Sequence, residues 1–229
     1  IATAATRPGR CLEIGAGRGT KTYVMMCQAK RAGYERQHTA LDLHDRKCDL
    51  NLARLHKAGI QGVRTVSGDA CELDEVLTSF DAMLGEPVKF DTVFIDAPCS
   101  GTGTMRRHPE IPWRLTENDV TTELPKLQLA MLKEAAVRVA AGGELIYATC
   151  SVFDEENTQV VDAFLASPKG AGFTMAPLSG AQILQLPDFE QAKKLVSVRQ
   201  NDRGLFQSVP VNADSYDGHF CARLVRQSS

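Results

Sequence analysis

What this 229-residue chain lacks already narrows its class. Its seven cysteines are odd in number and scattered, and no two stand in a Cys-x-x-Cys pair. A zinc site is therefore not expected, no metal is assigned, and the set reads as reduced thiols. No apolar run approaches the roughly 18 residues of a membrane span. The start, from Ile1 to Pro8, has no basic region followed by an apolar one, so no secretory signal is read there. These absences point to a cytoplasmic protein without a membrane partner. The chain also lacks a starting Met and reaches its first strand by about residue 10, the pattern of a fragment missing its N-terminal part. Positive charge is not in excess, because the net charge is −2. Any nucleic-acid binding must then use a local patch or a segment outside this sequence. Nothing in the composition sets an oligomeric state.

What is present fits one soluble α/β domain, with 43% hydrophobic and 24% charged residues. Apolar runs alternate with helix-like stretches, the pattern of βαβ units. The runs are Cys11–Ile14, Thr39–Leu43, Val63–Ser67, Phe90–Ile95 and Glu144–Ala148, with a last strand at His219–Val225. Helices are expected over Thr20–Arg31 and Asp45–Ala58, over a stretch interrupted near Pro125 and continuing to Ala140, and over Glu155–Ala166. The acidic Asp154-Glu155-Glu156 suits the positive end of that last helix. The segment from Ser167 to Val209 shows no clear period.

The first run leads into Gly15-Ala16-Gly17-Arg18-Gly19. Such a turn lets backbone N–H groups approach a ligand at a helix N-terminus. It is not the dinucleotide pattern, because the third glycine comes too early. Asp42 ends the second run, where a carboxylate can accept both hydroxyls of a ribose. Asp69 follows the third run, where it could meet an adenine amino group. A lone Asp at a strand end is more often a helix cap, but the three features in succession favour a nucleoside cofactor.

Two thiols stand at matching strand ends. One is in Asp96-Ala97-Pro98-Cys99-Ser100-Gly101-Thr102-Gly103, the other in Tyr147-Ala148-Thr149-Cys150-Ser151. Ligands of an open parallel sheet bind outside the carboxyl ends of its strands. Neighbouring strands would bring both thiols and Asp96 into one cleft, an arrangement suited to covalent chemistry. Cys11, Cys27, Cys48, Cys71 and Cys221 read instead as inert small hydrophobes. Arg106, Arg107, His108 and Arg114 follow Cys99, with Trp113 among them. They could grip phosphates and stack a base; the plainer alternative is a solvated loop anchored in the core by Trp113.

The segments from Asp96 to Gly103 and from Arg106 to Trp113 closely resemble the Sun family of RNA cytosine-5 methyltransferases. Lys21-Thr22, Tyr147 to Ser151 with Glu155-Glu156-Asn157, and Asp217 to Leu224 are similar to the same family. The resemblance runs from about residue 10 to 226. It implies a Rossmann-like methyltransferase fold, a mostly parallel sheet with helices on both faces, using S-adenosylmethionine. It also implies that residues 1–229 form one catalytic domain without the family's N-terminal RNA-binding subdomain. The cofactor set would be Gly15, Ala16, Gly17, Arg18, Gly19, Thr20, Lys21, Asp42, Asp69 and Asp96. Cys150 would be the attacking thiol, Cys99 would assist product release, and Asp96 would hold the cytosine edge. Lys21 would balance charge beside Asp96, or else be merely solvated.

The chain departs from the family where Arg18 replaces a proline and Thr20 a glycine. Three alternatives therefore stand. The thiol roles could be swapped, as in DNA cytosine-5 methyltransferases. The chain could be a DNA enzyme, although that class has no use for the Thr149-Cys150 motif. It could also be an RNA-binding assembly factor with a weak cofactor site. The expected RNA is ribosomal or transfer RNA, with ribosomal favoured.

Overall fold

The computed structural model describes residues 1–210 and 216–228. In chain order the elements are β1 (Gly9–Ile14), α1 (Thr20–Arg31), β2 (Arg36–Asp42), α2 (Asp45–Lys57), β3 (Val63–Ser67), α3 (Leu73–Val76), α4 (Thr78–Leu84) and β4 (Phe90–Asp96). They continue as α5 (Leu124–Arg138), β5 (Val139–Thr149), α6 (Thr158–Leu165), β6 (Phe173–Ala176), α7 (Glu190–Ser197), β7 (Phe206–Ser208) and β8 (His219–Arg226). The sheet order is β3-β2-β1-β4-β5-β8-β6. The first five strands are parallel, and β8 inserts antiparallel between β5 and β6. β6 and β7 share the far edge of β8, pairing with its two halves.

The central strands read as apolar runs because both of their faces are covered. In β4, Val93 and Ile95 join one core with residues of α3, α5 and α6, while Phe94 faces the other with Met25 of α1 and Val196 of α7. β5 alternates likewise, Leu145 and Tyr147 on one side and Ile146 and Ala148 on the other. Helices thus cover both faces, as expected. Truncating Val93 or Ile95 to Ala would cost about 2–5 kcal/mol at such fully buried positions. β3 ends the parallel half and is only half-buried along its length.

Two expected helix boundaries need correction. The stretch ending at Ala140 leaves the helix at Arg138, because Val139 already pairs with Phe90 in the sheet. Before it, a π-helical turn over Asp119–Glu123 gives way to regular helix at Leu124, one residue before Pro125. The helix expected from Glu155 begins only at Thr158. Glu156 and Asn157 do not form a solvated first turn; both side chains are fully buried, hydrogen-bonded to the loops that carry the cysteines. Among the described residues of 167–209, the chain forms β6, short 3₁₀ turns, α7 and β7.

Candidate active site

The strand order reverses direction between β1 and β4, a topological switch point where open parallel sheets bind ligands. A cavity of about 540 Å³ opens there. Gly15, Lys21, Asp42, Asp69, Asp96, Cys99 and Cys150 all contribute to its lining. So do Lys47, Leu127, Met131 and His219, which the sequence pattern did not single out. Another cavity of about 440 Å³ lies at the opposite edge of the sheet, among Arg10, Arg64, Phe80 and Met83. It contains neither a thiol nor a carboxylate, whereas the switch-point cavity holds both.

The glycine turn acts on this cavity mainly through Gly15 and Asp42. Gly15 has φ 76°, and a Cβ there would lie 2.3 Å from the Asp96 carbonyl oxygen, so only glycine lets β1 and β4 close on each other at this point. Ala16, Gly17, Arg18, Gly19 and Thr20 are absent from the cavity lining. Gly17 N–H instead donates to Asp42 Oδ2 at 2.9 Å, while His44 N–H holds Oδ1 at 3.1 Å and Lys47 lies 3.3 Å away. Gly19 is required by packing, since a Cβ would lie 2.0 Å from Asn51 Oδ1 on α2. Arg18 and Thr20 are exposed, and the Thr20 hydroxyl accepts a hydrogen bond from Arg54 of α2. The two departures from the family pattern thus lie outside the cavity. Asp69 Oδ1 accepts the Cys71 N–H at 2.8 Å, a short turn that presents the carboxylate at the cavity rim.

On the other side of the switch point, Asp96 ends β4 and is ion-paired with Lys21 from the first turn of α1. Lys21 is therefore not merely solvated. Asp96 keeps 31% of its side chain open, to the cavity it lines, but is otherwise enclosed by protein. That enclosure pushes its carboxyl above the usual carboxylate range, and Lys21 pulls it back.

Pairing between β4 and β5 continues past Asp96 through Ala97 N–H to Ala148 O, and Gly103 N–H donates to Cys150 O at 2.8 Å. These contacts bring Cys99 and Cys150 Sγ to 3.2 Å, with Cys150 N–H a further 3.3 Å donor to Cys99 Sγ. Both thiols are half-buried, reduced, and part of the cavity wall. The hydrogen bond between them and then burial push the Cys99 thiol far up. The same bond holds Cys150 below its ordinary value, against burial and Asp96 and with help from Lys21. Of the two, Cys150 is the readier thiolate and Cys99 the more reluctant. Of the remaining cysteines, Cys11, Cys48 and Cys221 are buried, whereas Cys27 and Cys71 are half-buried.

The loop after Cys99 lies beside the cavity and contributes nothing to its lining beyond Cys99. Arg107 grips Asp217 through Nε at 2.9 Å and Nη2 at 2.5 Å, with Arg106 at 3.9 Å from the same carboxylate. His108 and Arg114 both lie near Glu110, at 3.4 and 3.6 Å. The four basic side chains are about half exposed or more, and so is Glu110, whose pairs with His108 and Arg114 are worth little, whereas Asp217 is mostly covered. Trp113 is 89% exposed, which rules out its role as a core anchor.

With this geometry in hand, comparison with known proteins is decisive. The family model described as 16S rRNA methyltransferase RsmB/F matches residues 4–225. The chain belongs to the RsmB/F family. Among its relatives, the ribosomal RNA small subunit methyltransferase B of Citrobacter koseri is 34% identical over 165 residues, 72% of this chain and 35% of that protein. The corresponding protein of Klebsiella pneumoniae subsp. pneumoniae is 33% identical over 184 residues, 80% of this chain and 39% of that one. This RsmB/F chain thus spans a little over a third of the length of those relatives. Among solved structures, PH0851 superposes with a TM-score of 0.76 at 26% identity, covering 97% of this chain and 45% of that one. NSun6 from Pyrococcus horikoshii with SFG shares the fold at a TM-score of 0.72 and 19% identity, over 100% of this chain and 52% of that one.

Proposed function

We propose that this RsmB/F chain is the catalytic domain of an S-adenosylmethionine-dependent cytosine-5 methyltransferase acting on small-subunit ribosomal RNA in the cytoplasm. The observation that carries the reading is the pair of touching thiols, Cys99 and Cys150, in the wall of the switch-point cavity that Asp42, Asp69 and Asp96 also line. The cavity fits a nucleoside cofactor. Gly15 leaves the backbone bare where a side chain could not stand, Asp42 is held in place by Gly17 as a ribose acceptor, and Lys21 offers a cation to a carboxylate. S-adenosylmethionine would supply an electrophilic methyl group on a sulfonium.

Carbon 5 of cytosine is a weak nucleophile until a thiolate adds to carbon 6. Cys150 is the better placed thiolate, because its contact with Cys99 lowers its pKa and Lys21 stabilises its charge. Asp96, ion-paired with Lys21 at the cavity wall, can hydrogen-bond the cytosine edge and stabilise the protonated ring that develops there. After methyl transfer a base takes the carbon-5 proton as the carbon-6–sulfur bond breaks, and Cys99 is placed to protonate the departing Cys150 thiolate. The exposed Arg106, Arg107, His108, Trp113 and Arg114 would meet the RNA, exchanging their carboxylate partners for phosphates and a stacked base. The target base must leave its stack to enter, at a cost of about a few kcal/mol.

The test is transfer of labelled methyl groups to small-subunit ribosomal RNA, with the modified cytosine mapped by bisulfite sequencing. Transfer RNA run in parallel separates the two RNA classes. Arg18 and Thr20, which depart from the family pattern, lie outside the cavity and lend no support to a second reading, an assembly factor without cofactor. Calorimetry decides it: binding of S-adenosylmethionine by the intact protein supports the enzyme, and no binding supports the factor.

A further inference from the structure

The thiol geometry depends on a carboxylate that touches neither the cavity nor its contents. Glu156 is fully buried. Its Oε2 accepts the Ser100 N–H at 2.8 Å and Gln128 Nε2 at 3.0 Å, and its Oε1 accepts the Ser151 hydroxyl at 2.7 Å. Ser100 follows Cys99 and Ser151 follows Cys150, so one side chain is tied to the residue after each thiol. The surrounding groups complete the clamp. Ser100 Oγ and Ser151 Oγ are 3.1 Å apart, and Gln128 Nε2 also donates to Pro98 O at 2.9 Å. Asn157 Nδ2 donates to Ser151 O at 3.0 Å, and the Tyr147 hydroxyl donates to Glu156 O at 2.6 Å. A buried polar network of this kind fixes a unique arrangement when its members are satisfied; both Glu156 oxygens are, and Gln128 Oε1 is left without a partner. Every side-chain contact at the Glu156 oxygens comes from a donor, which suits a carboxylate and only partly suits an amide.

We infer that Glu156 is a positioning residue that sets the distance between Cys99 and Cys150, and through that distance the proton sharing that activates Cys150. The inference rests on the proposed thiol chemistry, but the distance itself can be measured without RNA or cofactor. Diamide oxidises two adjacent thiols to a disulfide; the S–S bond forms while two electrons and two protons pass to the N=N bond, giving the hydrazine. The rate of Cys99–Cys150 cross-linking in the folded protein, read by mass spectrometry of the linked peptides, reports how closely the sulfurs are held.

Glu156→Ala should slow that cross-link by about tenfold or more, since loss of positioning of this order carries such factors. Glu156→Gln, which keeps an acceptor for Ser100 and an amide that Ser151 Oγ can accept, should recover most of the rate. In methylation assays Glu156→Ala should lower kcat with little change in KM for S-adenosylmethionine. Should Glu156→Ala fail to fold, Ser151→Ala removes one arm of the clamp and decides the matter by the same two readouts. Wild-type cross-linking rates in the folded Ala variants would overturn the inference, even if methylation were lost. Slowed cross-linking in variants of a protein that methylates no RNA would uphold the clamp and overturn the proposed function instead.

Discussion

At the scale of single residues, the activity proposed here depends on how two thiols divide one proton. Their hydrogen bond pushes Cys99 up and holds Cys150 below its ordinary titration range. Cys99→Ala should therefore move the pH midpoint for alkylation of Cys150 by iodoacetamide upward. An unchanged midpoint would mean that Lys21 and the backbone activate Cys150 without Cys99. The thiols and Asp96 were legible in the sequence because their chemistry fixes residue type and spacing along two strands. Glu156 was not legible in that way. In the run Asp154-Glu155-Glu156 it reads as one more charge at a helix start, and only the packing of α6 against the cysteine loops turns it inward. Lys47 and His219 reach the cavity from α2 and β8, so only the assembled sheet brings them to it.

At the scale of elements, the turn between β1 and α1 and the network beneath it make separate predictions. Gly15→Ala would drive a methyl group into the Asp96 carbonyl, at a cost of about 1–3 kcal/mol to the fold, and the displaced turn should weaken S-adenosylmethionine binding in calorimetry. Unchanged affinity would place the cofactor elsewhere. Below the turn, Glu13 Oε2 accepts the Thr22 hydroxyl at 2.6 Å and meets His38 Nε2 at 2.8 Å. Burial disfavours the His38 imidazolium, but Cys11 and Glu13 outweigh it and His38 is pushed up to about 9 from an ordinary 6.5. A folded-state value above the unfolded one stabilises fully below the unfolded value and is lost as pH climbs through the folded one. Tm should therefore fall as pH rises from about 6.5 to 9, and His38→Gln should flatten that slope. An equal slope in the variant would show that His38 is neutral throughout.

The elements that carry these groups were readable because the central parallel strands, buried on both faces, leave near-continuous apolar runs. α3 and α4 are too short to show a helical period. The stretch after residue 167 mixes brief strands with 3₁₀ turns, whose burial comes from docking on β8 and not from any repeating pattern.

At the scale of the whole molecule, the net charge of −2 and a basic loop already paired with Asp217 and Glu110 predict modest RNA affinity. Binding should still depend on salt. Arg106→Ala combined with Arg107→Ala should lower the slope of log affinity against log salt by about 2. Trp113 is the only tryptophan and stands in solvent, so its fluorescence should be quenched when RNA binds. An unchanged slope and an unquenched Trp113 would move the RNA to another face. The chain covers a little over a third of its relatives' length, so affinity contributed by the rest of such proteins would add to these values.

The central claim is that a Cys150 thiolate adds to cytosine while Cys99 releases it, and covalent trapping tests it most directly. RNA containing 5-fluorocytosine carries fluorine where the proton must leave, so the adduct cannot resolve. With S-adenosylmethionine, the wild type and Cys99→Ala should form a stable protein–RNA complex, and Cys150→Ala should form none. A complex that survives in Cys150→Ala and vanishes in Cys99→Ala would contradict the account and reverse the two thiols.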